Sequence, residues 1–400
     1  MENKKNPDHK LKVYEDVLDL VSNPDNPTPI VRLNKRINPN DGFKIYVKLE
    51  RYNPFGSIKD RIALSMLKGS KIKKGQAIVE PSSGNTGLAL AAIANAMDIP
   101  IEVAVPQRIP EEKKILLRLL GVRNLWEADD SLCPVFPNEG ARGLVSGIMR
   151  GKDKQKYVSP NQYENQLNVE AHYKTTGPEI WKQTKGKIDY FFAGFGTCGT
   201  ITGVGKYLKE KNPNIKIIGV EPSKQDHDLP GMKRISGLKD DLVPKILDKS
   251  LIDEIITVDD DKAYKTAIEM ARKNGFLVGP TTGAIAYTAL EFAKKHKGTA
   301  VIISPDDAFK YPSFFAPYVT GEKKQSMDKV VDLKGEICPL TFVKSKLVLE
   351  GMKSGQILEV IVDHEPAIEN VPRSMKNEGH EVIEVKKIGK SEWKILVRKK

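Results

Sequence analysis

Between residues 44 and 304 the apolar positions switch repeatedly between two spacings. Runs at 44–49, 77–80, 101–105, 190–193, 215–221 and 299–304 are short and rich in β-branched, aromatic or small apolar residues, and each predicts a strand. Segments 58–66, 86–97, 111–120, 200–211, 259–274 and 283–295 carry apolar residues at helical spacing. Strand and helix take turns, and the strands are nearly continuous apolar runs, so the pattern predicts a parallel sheet covered on both faces. The rhythm comes in two blocks, one ending near residue 120 and one beginning near residue 190. Two α/β halves imply a crevice between them, where such folds bind ligands.

After residue 320 the periodicity stops. Residues 321–328, Gly-Glu-Lys-Lys-Gln-Ser-Met-Asp, are polar and predict a linker. Beyond it, strands at 330–333, 357–362, 382–387 and 393–397 and helices at 339–352 and 367–378 describe a βαβαββ two-layer α+β domain. The expected organisation is a body at 1–320, a linker at 321–328 and a small domain at 329–400.

Composition narrows the class. Four hundred residues exceed one ordinary domain, and a hydrophobic share of 40% is enough for real cores. No run of eighteen apolar residues occurs, and Met1-Glu-Asn-Lys-Lys-Asn-Pro7 has no signal-peptide core, which predicts a cytoplasmic protein without a membrane span. Cys133, Cys198 and Cys338 are too few and too scattered for a disulfide framework or a metal site. The net charge of +12 comes from lysines spread along the whole chain. Without clustering among aromatics it argues for a solvated surface that draws anionic substrates, and against nucleic acid as a partner.

Three stretches carry chemistry. Asn53-Pro-Phe-Gly-Ser-Ile-Lys-Asp-Arg61 sets Lys59 in the first turn of a helix, facing the positive end of its dipole, where Asp and Glu are the favoured residues. A solvated surface lysine is the plain reading. The chemical one is a lysine that loses its proton readily, as an imine-forming lysine must. Gly196-Thr-Cys-Gly-Thr200 joins a strand to a helix, and glycines at a helix N-terminus let backbone N–H groups close on a phosphate. A tight turn without ligand would use the same glycines. Ser82-Ser-Gly-Asn-Thr86 opens another helix, and its hydroxyls and N–H groups suit a carboxylate or serve as an N-cap.

Asn53-Pro-x-Gly-Ser-x-Lys-Asp-Arg61, Glu80-Pro-Ser-Ser-Gly-Asn-Thr-Gly87 and Gly194-Phe-Gly-Thr-Cys-Gly-Thr200 occur in an order and at separations that resemble the cysteine synthase family, over residues 10–320. The resemblance implies PLP fold type II, the two-half parallel-sheet fold of the tryptophan-synthase-β type, with pyridoxal 5′-phosphate as cofactor. It implies that Lys59 carries the cofactor and then removes the substrate's α-proton, and that Gly196, Thr197, Cys198, Gly199 and Thr200 cradle the phosphate. Cys198 stands where relatives often carry glycine and reads as a tolerated small side chain, with a redox role as the alternative. The resemblance places Ser82, Ser83, Gly84, Asn85 and Thr86 on the substrate carboxylate, with Asn85 also on the cofactor's ring oxygen. Gln162 matches a carboxylate-binding glutamine, although the family's neighbouring proline-alanine pair is missing. Relatives set a serine at the pyridine nitrogen, in a stretch that ends in a basic residue and tyrosine. In Ser304-Pro-Asp-Asp-Ala-Phe-Lys-Tyr311, either Ser304 takes that role or Asp307 replaces it. Lys233 and Arg234 are candidates for an anionic leaving group, or equally surface charge.

The segment Val331-Asp-Leu-Lys-Gly-Glu-Ile-Cys-Pro-Leu-Thr-Phe-Val-Lys-Ser-Lys-Leu347, with Gly379-His-Glu381, resembles the TusA/SirA sulfur carriers over residues 329–400. Proline at the first helical position puts Cys338 at the N-cap, where the dipole stabilises a thiolate able to carry a persulfide; a buried apolar cysteine is the alternative. Joined, the two resemblances imply a homodimeric transferase. It would make L-cysteine from O-acetylserine or O-phosphoserine, with sulfur from sulfide or from a Cys338 persulfide that a sulfurtransferase loads. Cystathionine β-synthase, serine/threonine dehydratase and a sulfur relay with the body as docking scaffold are the competing readings. The loop composition speaks against dehydration, and an intact Lys59 with a complete phosphate loop speaks against a scaffold.

Overall fold

The computed structural model describes residues 13–82, 84–106, 109, 111–128, 137–151, 154–320, 329–337, 339–389 and 391–400, so the expected linker at 321–328 lies outside the described residues. The chain divides into two compact units, Met1–Tyr318 and Val319–Lys400.

In the first unit β1 (Ile30–Arg32) pairs antiparallel with β2 (Phe43–Leu49). There follow α1 (Lys59–Gly69), β3 (Ala77–Pro81), α2 (Asn85–Ala96), β4 (Ile101–Pro106), α3 (Glu111–Leu119), β5 (Leu125–Ala128), α4 (Pro137–Arg150) and β6 (Tyr157–Val158). α5 (Gln166–Ala171), a π-helical turn (His172–Thr176) and α6 (Gly177–Gln183) lead to the second block. That block holds β7 (Tyr190–Gly194), α7 (Gly199–Lys211), β8 (Lys216–Pro222), β9 (Glu254–Val258), α8 (Asp260–Asn274), α9 (Pro280–Ala293), β10 (Gly298–Ser304) and α10 (Pro312–Val319). Two sheets result, one of four parallel strands in the order β5-β4-β3-β6, the other of six in the order β1-β2-β10-β7-β8-β9, parallel apart from β1. The two-half parallel-sheet fold expected from the alternation is present.

Several elements between 121 and 189 escape the sequence pattern. α4 contains Gly140, Gly143 and Gly147, which weaken helix propensity, yet Ala141 and Val145 pack on Val79 and Ala104, and that burial prevails. α9 begins at Pro280, ahead of the expected 283, because proline's fixed φ suits the first helical turn.

Strand β2 belongs to the six-stranded sheet, pairing in parallel with β10 so that Leu49 lies opposite Ser304. The chain then crosses over. Ile58 is buried in the core of the second block with Phe191 and Val301, whereas Ile62, Ala63, Met66 and Leu67 of α1 are buried against Ile78, Leu90 and Val103 of the first. Lys59 therefore begins its helix at the seam between the halves.

Charged groups buried at this seam fix the crossing. Arg61 donates to both oxygens of Glu50 at 2.7 and 3.0 Å, to Glu179 of α6 and to the Ser22 carbonyl. Lys48 donates to Glu179 Oε2 at 2.6 Å, an oxygen it shares with Arg61, and to Gln183 and the Thr28 carbonyl. Asn53 donates to Glu50, and Asp60 accepts from the Phe55 N–H at 2.7 Å. Burial alone would push the Glu50 carboxyl up, but the adjoining Arg61 and Lys48 charges hold it well below the usual carboxylate range.

The second unit comprises β11 (Lys329–Asp332), α11 (Leu340–Glu350), β12 (Ile357–Val362), α12 (Glu365–Asn377), β13 (Glu381–Lys387) and β14 (Trp393–Arg398). Its strands run in the order β11-β12-β14-β13, the first pair parallel and the others antiparallel. Leu358, Val360, Ile395 and Val397 meet Leu349, Val371 and Met375 of the two helices in one core, giving the expected βαβαββ layers. Among the described residues no helix is long and apolar enough to cross a membrane.

Because Arg61 bridges two buried carboxylates, Arg61→Met leaves Glu50 without its contacting cation and Glu179 with Lys48 alone, and is expected to destabilise the first unit by about 3–5 kcal/mol in urea unfolding. Arg36→Met, at an exposed position, should change the same measurement by less than about 0.5 kcal/mol.

Candidate active site

A cavity of about 630 Å³ opens at the seam, and Lys59 lines it. The turn before α1 sets the lysine in place. The Ile58 N–H donates to the Pro305 carbonyl at 2.8 Å, tying the start of α1 to the end of β10, and Ser57 Oγ accepts from the Lys59 N–H at 3.2 Å. Desolvation lowers the pKa of the Lys59 amine against the opposing pull of Asp306. A lysine so placed gives up its proton more readily than one in water.

Gly196, Thr197, Cys198 and Thr200 line the same cavity, and Gly199 starts α7 beside them. Gly196 lies so close to the 231 backbone that a Cβ would stand 2.5 Å from the Gly231 oxygen. Cys198 has φ 72°, the left-handed region that favours glycine, and its side chain is packed into the core at 3% exposure. Burial pushes the thiol up to about 12, so it stays protonated at neutral pH. The π-helical turn brings His172 behind this loop, with Nε2 3.2 Å from the Thr200 hydroxyl and Nδ1 2.9 Å from that of Thr176. Burial drives the His172 pKa down to about 3, so the ring is a neutral hydrogen-bonding strut. The sequence reading missed it, as nothing in the α5–α6 pattern marks a π turn.

On the opposite wall, Ser82, Gly84, Asn85 and Thr86 line the cavity where α2 begins, while Ser83 lies outside the described residues. Ser82 Oγ accepts from the Gly87 N–H at 2.8 Å, and the Thr86 hydroxyl donates to Gln162 Oε1 at 2.7 Å. Buried Glu80 holds the segment before α5 by accepting from the N–H groups of Asn161 and Gln162. Gln162 therefore reaches the wall without the family's proline-alanine pair.

Neither Ser304 nor Asp307 lines the cavity. Ser304 is buried between β10 and α9, its hydroxyl 3.0 Å from that of Thr282. Asp307 caps the short turn Ala308–Lys310 by accepting from the Phe309 N–H. The residue between them, Asp306, faces the cavity: its Oδ2 accepts from Tyr311 and, at 2.6 Å, from Asn85, while Oδ1 has no partner among the described residues. Burial raises its pKa. Counting back from Lys310-Tyr311 names Asp307, but that carboxylate is taken up in capping the turn, and the acid that lines the cavity is its neighbour Asp306.

Lys233 and Arg234 both line the cavity. Lys233 Nζ lies 4.7 Å from the centroid of the Tyr163 ring, and the Arg234 guanidinium donates to the Ser223 carbonyl. Glu221 anchors their segment by accepting from the N–H groups of Ile235 and Ser236. Lys113 of α3 also lines the cavity, unforeseen because it belongs to a lysine pair that reads as helix surface. Cys338, just ahead of α11, lies outside the described residues.

Residues 21–306 match the family model described as pyridoxal-phosphate dependent enzyme, and residues 329–399 match the one described as sulfurtransferase TusA. A cysteine synthase of Aquifex aeolicus (strain VF5) is 40% identical over 312 residues, covering 75% of this chain and 91% of its own. A hydrogen sulfide-producing enzyme from Fusobacterium nucleatum superposes with a TM-score of 0.67 at 35% identity, over 75% of this chain and 100% of its own. A cysteine synthase from Entamoeba histolytica gives 0.68 at 30% identity, over 78% and 92%.

The residues present fit pyridoxal phosphate. A lysine with a lowered pKa, a helix N-terminus whose loop approaches closely at Gly196, and a buried carboxylate with one unmatched oxygen share one cavity. These groups match an aldehyde, a phosphate and a ring nitrogen.

A thiol with a pKa near 12 is thiolate to a fraction on the order of 10⁻⁴ at pH 8. Iodoacetamide should leave Cys198 unmodified in the folded protein and label it in urea, read by peptide mass spectrometry; rapid labelling of the folded protein would restore the redox reading.

Proposed function

The chain belongs to the pyridoxal-phosphate-dependent enzymes, and on that premise we propose that it makes L-cysteine from an O-acetylated or O-phosphorylated serine, by replacing the β-substituent with sulfur. The reading rests above all on Lys59, an amine of lowered pKa set at the seam of two α/β halves and opposite a glycine-lined helix N-terminus. Catalytic body 1–320, linker 321–328 and carrier domain 329–400 are the proposed division of the chain.

Bound in the cavity, pyridoxal phosphate supplies an electron sink for the charge that develops at the substrate's α-carbon. The N–H groups around Gly196, Thr197, Cys198, Gly199 and Thr200 hold its phosphate. Lys59 anchors it, then serves as the base: its Nζ takes the α-proton and holds it, a task that suits an amine displaced from its usual protonated state. Ser82, Ser83, Gly84, Thr86 and Gln162 hold the substrate carboxylate, and the Thr86–Gln162 hydrogen bond keeps the two sides of that subsite together. Asn85 and Asp306 face the ring, with Asp306 in the role expected of Ser304 or Asp307. An ionised carboxylate there would favour a protonated ring nitrogen, and the nitrogen's positive charge would in turn offset the burial that raises the Asp306 pKa. Lys233 and Arg234 line the same cavity, and their positive charge would assist departure of acetate or phosphate.

The sulfur comes from Cys338, loaded as a persulfide by a sulfurtransferase. Two thiols are oxidised to a disulfide, the terminal sulfur leaves as hydrosulfide, and the Cys338 thiol is regenerated. Free sulfide enters the same reaction directly. The protein works in the cytoplasm as a homodimer.

Lys59→Ala should abolish both the visible absorbance of the bound cofactor and cysteine formation from O-acetyl-L-serine or O-phospho-L-serine with sulfide. Retention of cysteine formation in that variant would sink the assignment. Cys338→Ser should keep the sulfide reaction and lose only the reaction supplied by persulfide and reductant; survival of both would remove the carrier role.

A further inference from the structure

Lys113 carries a charge that nothing nearby neutralises in contact. The residue is 8% exposed, it lines the cavity, and its Nζ stands 5.1 Å from the centroid of the Tyr311 ring. Among the described residues it has no hydrogen-bond acceptor and no carboxylate within ion-pair distance. Desolvation lowers its pKa, Asp306 and Glu112 attract its protonated form from farther away, and Lys310 repels it, so an anion at contact distance would favour the charged amine. Asp306 is moreover already engaged by Tyr311 and Asn85. An amine largely withdrawn from water in a cavity wall, with no contacting acceptor among the described residues, is set up for an anion that arrives from outside.

The position of the ammonium narrows the choice of anion. A Cβ built on Gly84 would lie 3.7 Å from Lys113 Nζ, so the ammonium reaches the loop that opens α2. α2 is twelve residues long and presents the Asn85 and Thr86 N–H groups at its first turn without an intrahelical acceptor. Ser82 Oγ takes the Gly87 N–H, and Gly84 itself adds no side chain between the helix end and the amine. A small planar anion fits between a helix N-terminus and a cation.

The geometry points to Lys113 as a substrate-binding residue that pairs with the α-carboxylate of the incoming amino acid, across from the first turn of α2. This rests on the cavity being an amino-acid site and adds a full positive charge to a subsite otherwise built from neutral donors. Lys113 sits on α3 of the first half, so the pairing also ties that half to the substrate. An amino acid whose carboxylate has been converted to a neutral amide loses this contact and keeps its amine.

The test titrates the cofactor-loaded full chain with L-serine and, separately, with L-serinamide, following the visible absorbance. Lys113→Met and Lys113→Gln should weaken L-serine by roughly 10- to 100-fold while changing L-serinamide less than about twofold, and Lys113→Arg should recover most of the L-serine affinity. In turnover, the KM for the activated serine should rise in the same proportion with kcat held within about threefold. Unchanged L-serine affinity in both neutral variants overturns the inference, and so does equal weakening of L-serine and L-serinamide, which marks a purely structural lysine. If the wild-type chain itself gives no spectral response to L-serine, the amino-acid reading of the cavity falls and this inference with it. Failure in the variants alone leaves that reading standing.

Discussion

Arg61 is the constraint on which the first unit depends. Its guanidinium is buried between Glu50, which follows β2, and Glu179, which lies on α6, and it thereby joins the strand that ends in the large sheet to a helix more than one hundred residues later. A guanidinium matches two carboxylates by geometry as well as charge, so the joint has one arrangement instead of many. Lys59 is two residues away, at the first turn of the same helix. The bond from the Ile58 N–H to the Pro305 carbonyl adds the end of β10 to the joint, and the adjacent residue there is Asp306. The buried ion network and this backbone bond together hold the lysine and the carboxylate that line one cavity.

The same burial that makes the network costly to break sets the chemistry of the site. Desolvation lowers the pKa of Lys59 and Lys113, raises that of Asp306, keeps Cys198 protonated and keeps His172 neutral. The cavity therefore combines amines that yield a proton more readily than in water, a carboxyl that keeps one more readily, and basic side chains at Lys113, Lys233 and Arg234 that an arriving anion would meet. These are the properties required by a reaction that moves an α-proton and expels an anionic leaving group. They arise from where the groups are buried more than from which residues they are.

Much of this was legible in the sequence because the chemistry sits on short strand-loop-helix junctions. Lys59, the Ser82 to Thr86 loop and the Gly196 to Thr200 loop each declare themselves by glycine and hydroxyl residues ahead of a helix, and all their described residues come together at one seam. What was not legible depends on tertiary context. Asp306 lines the cavity while Asp307 caps a turn, Lys113 is distinguished from its neighbours only by where α3 packs, and His172 needs a π turn to reach Thr200. The segment 121–189 is held by packing despite weak local signals, as the glycines of α4 illustrate. In the second unit the apolar pattern was sufficient, since the central strands β12 and β14 bury their apolar residues against the two helices.

The central claim is that one chain both carries sulfur and places it on an amino acid. The direct measurement loads Cys338 of the cofactor-bound full chain with a heavy-sulfur persulfide and removes free sulfide. It then adds an activated L-serine with thiol reductant and follows the label by mass spectrometry through the first turnover. The account predicts labelled free L-cysteine, in an amount limited by the loaded Cys338. Label that leaves Cys338 and accumulates as sulfide, with no labelled cysteine although both substrates are present, would contradict it.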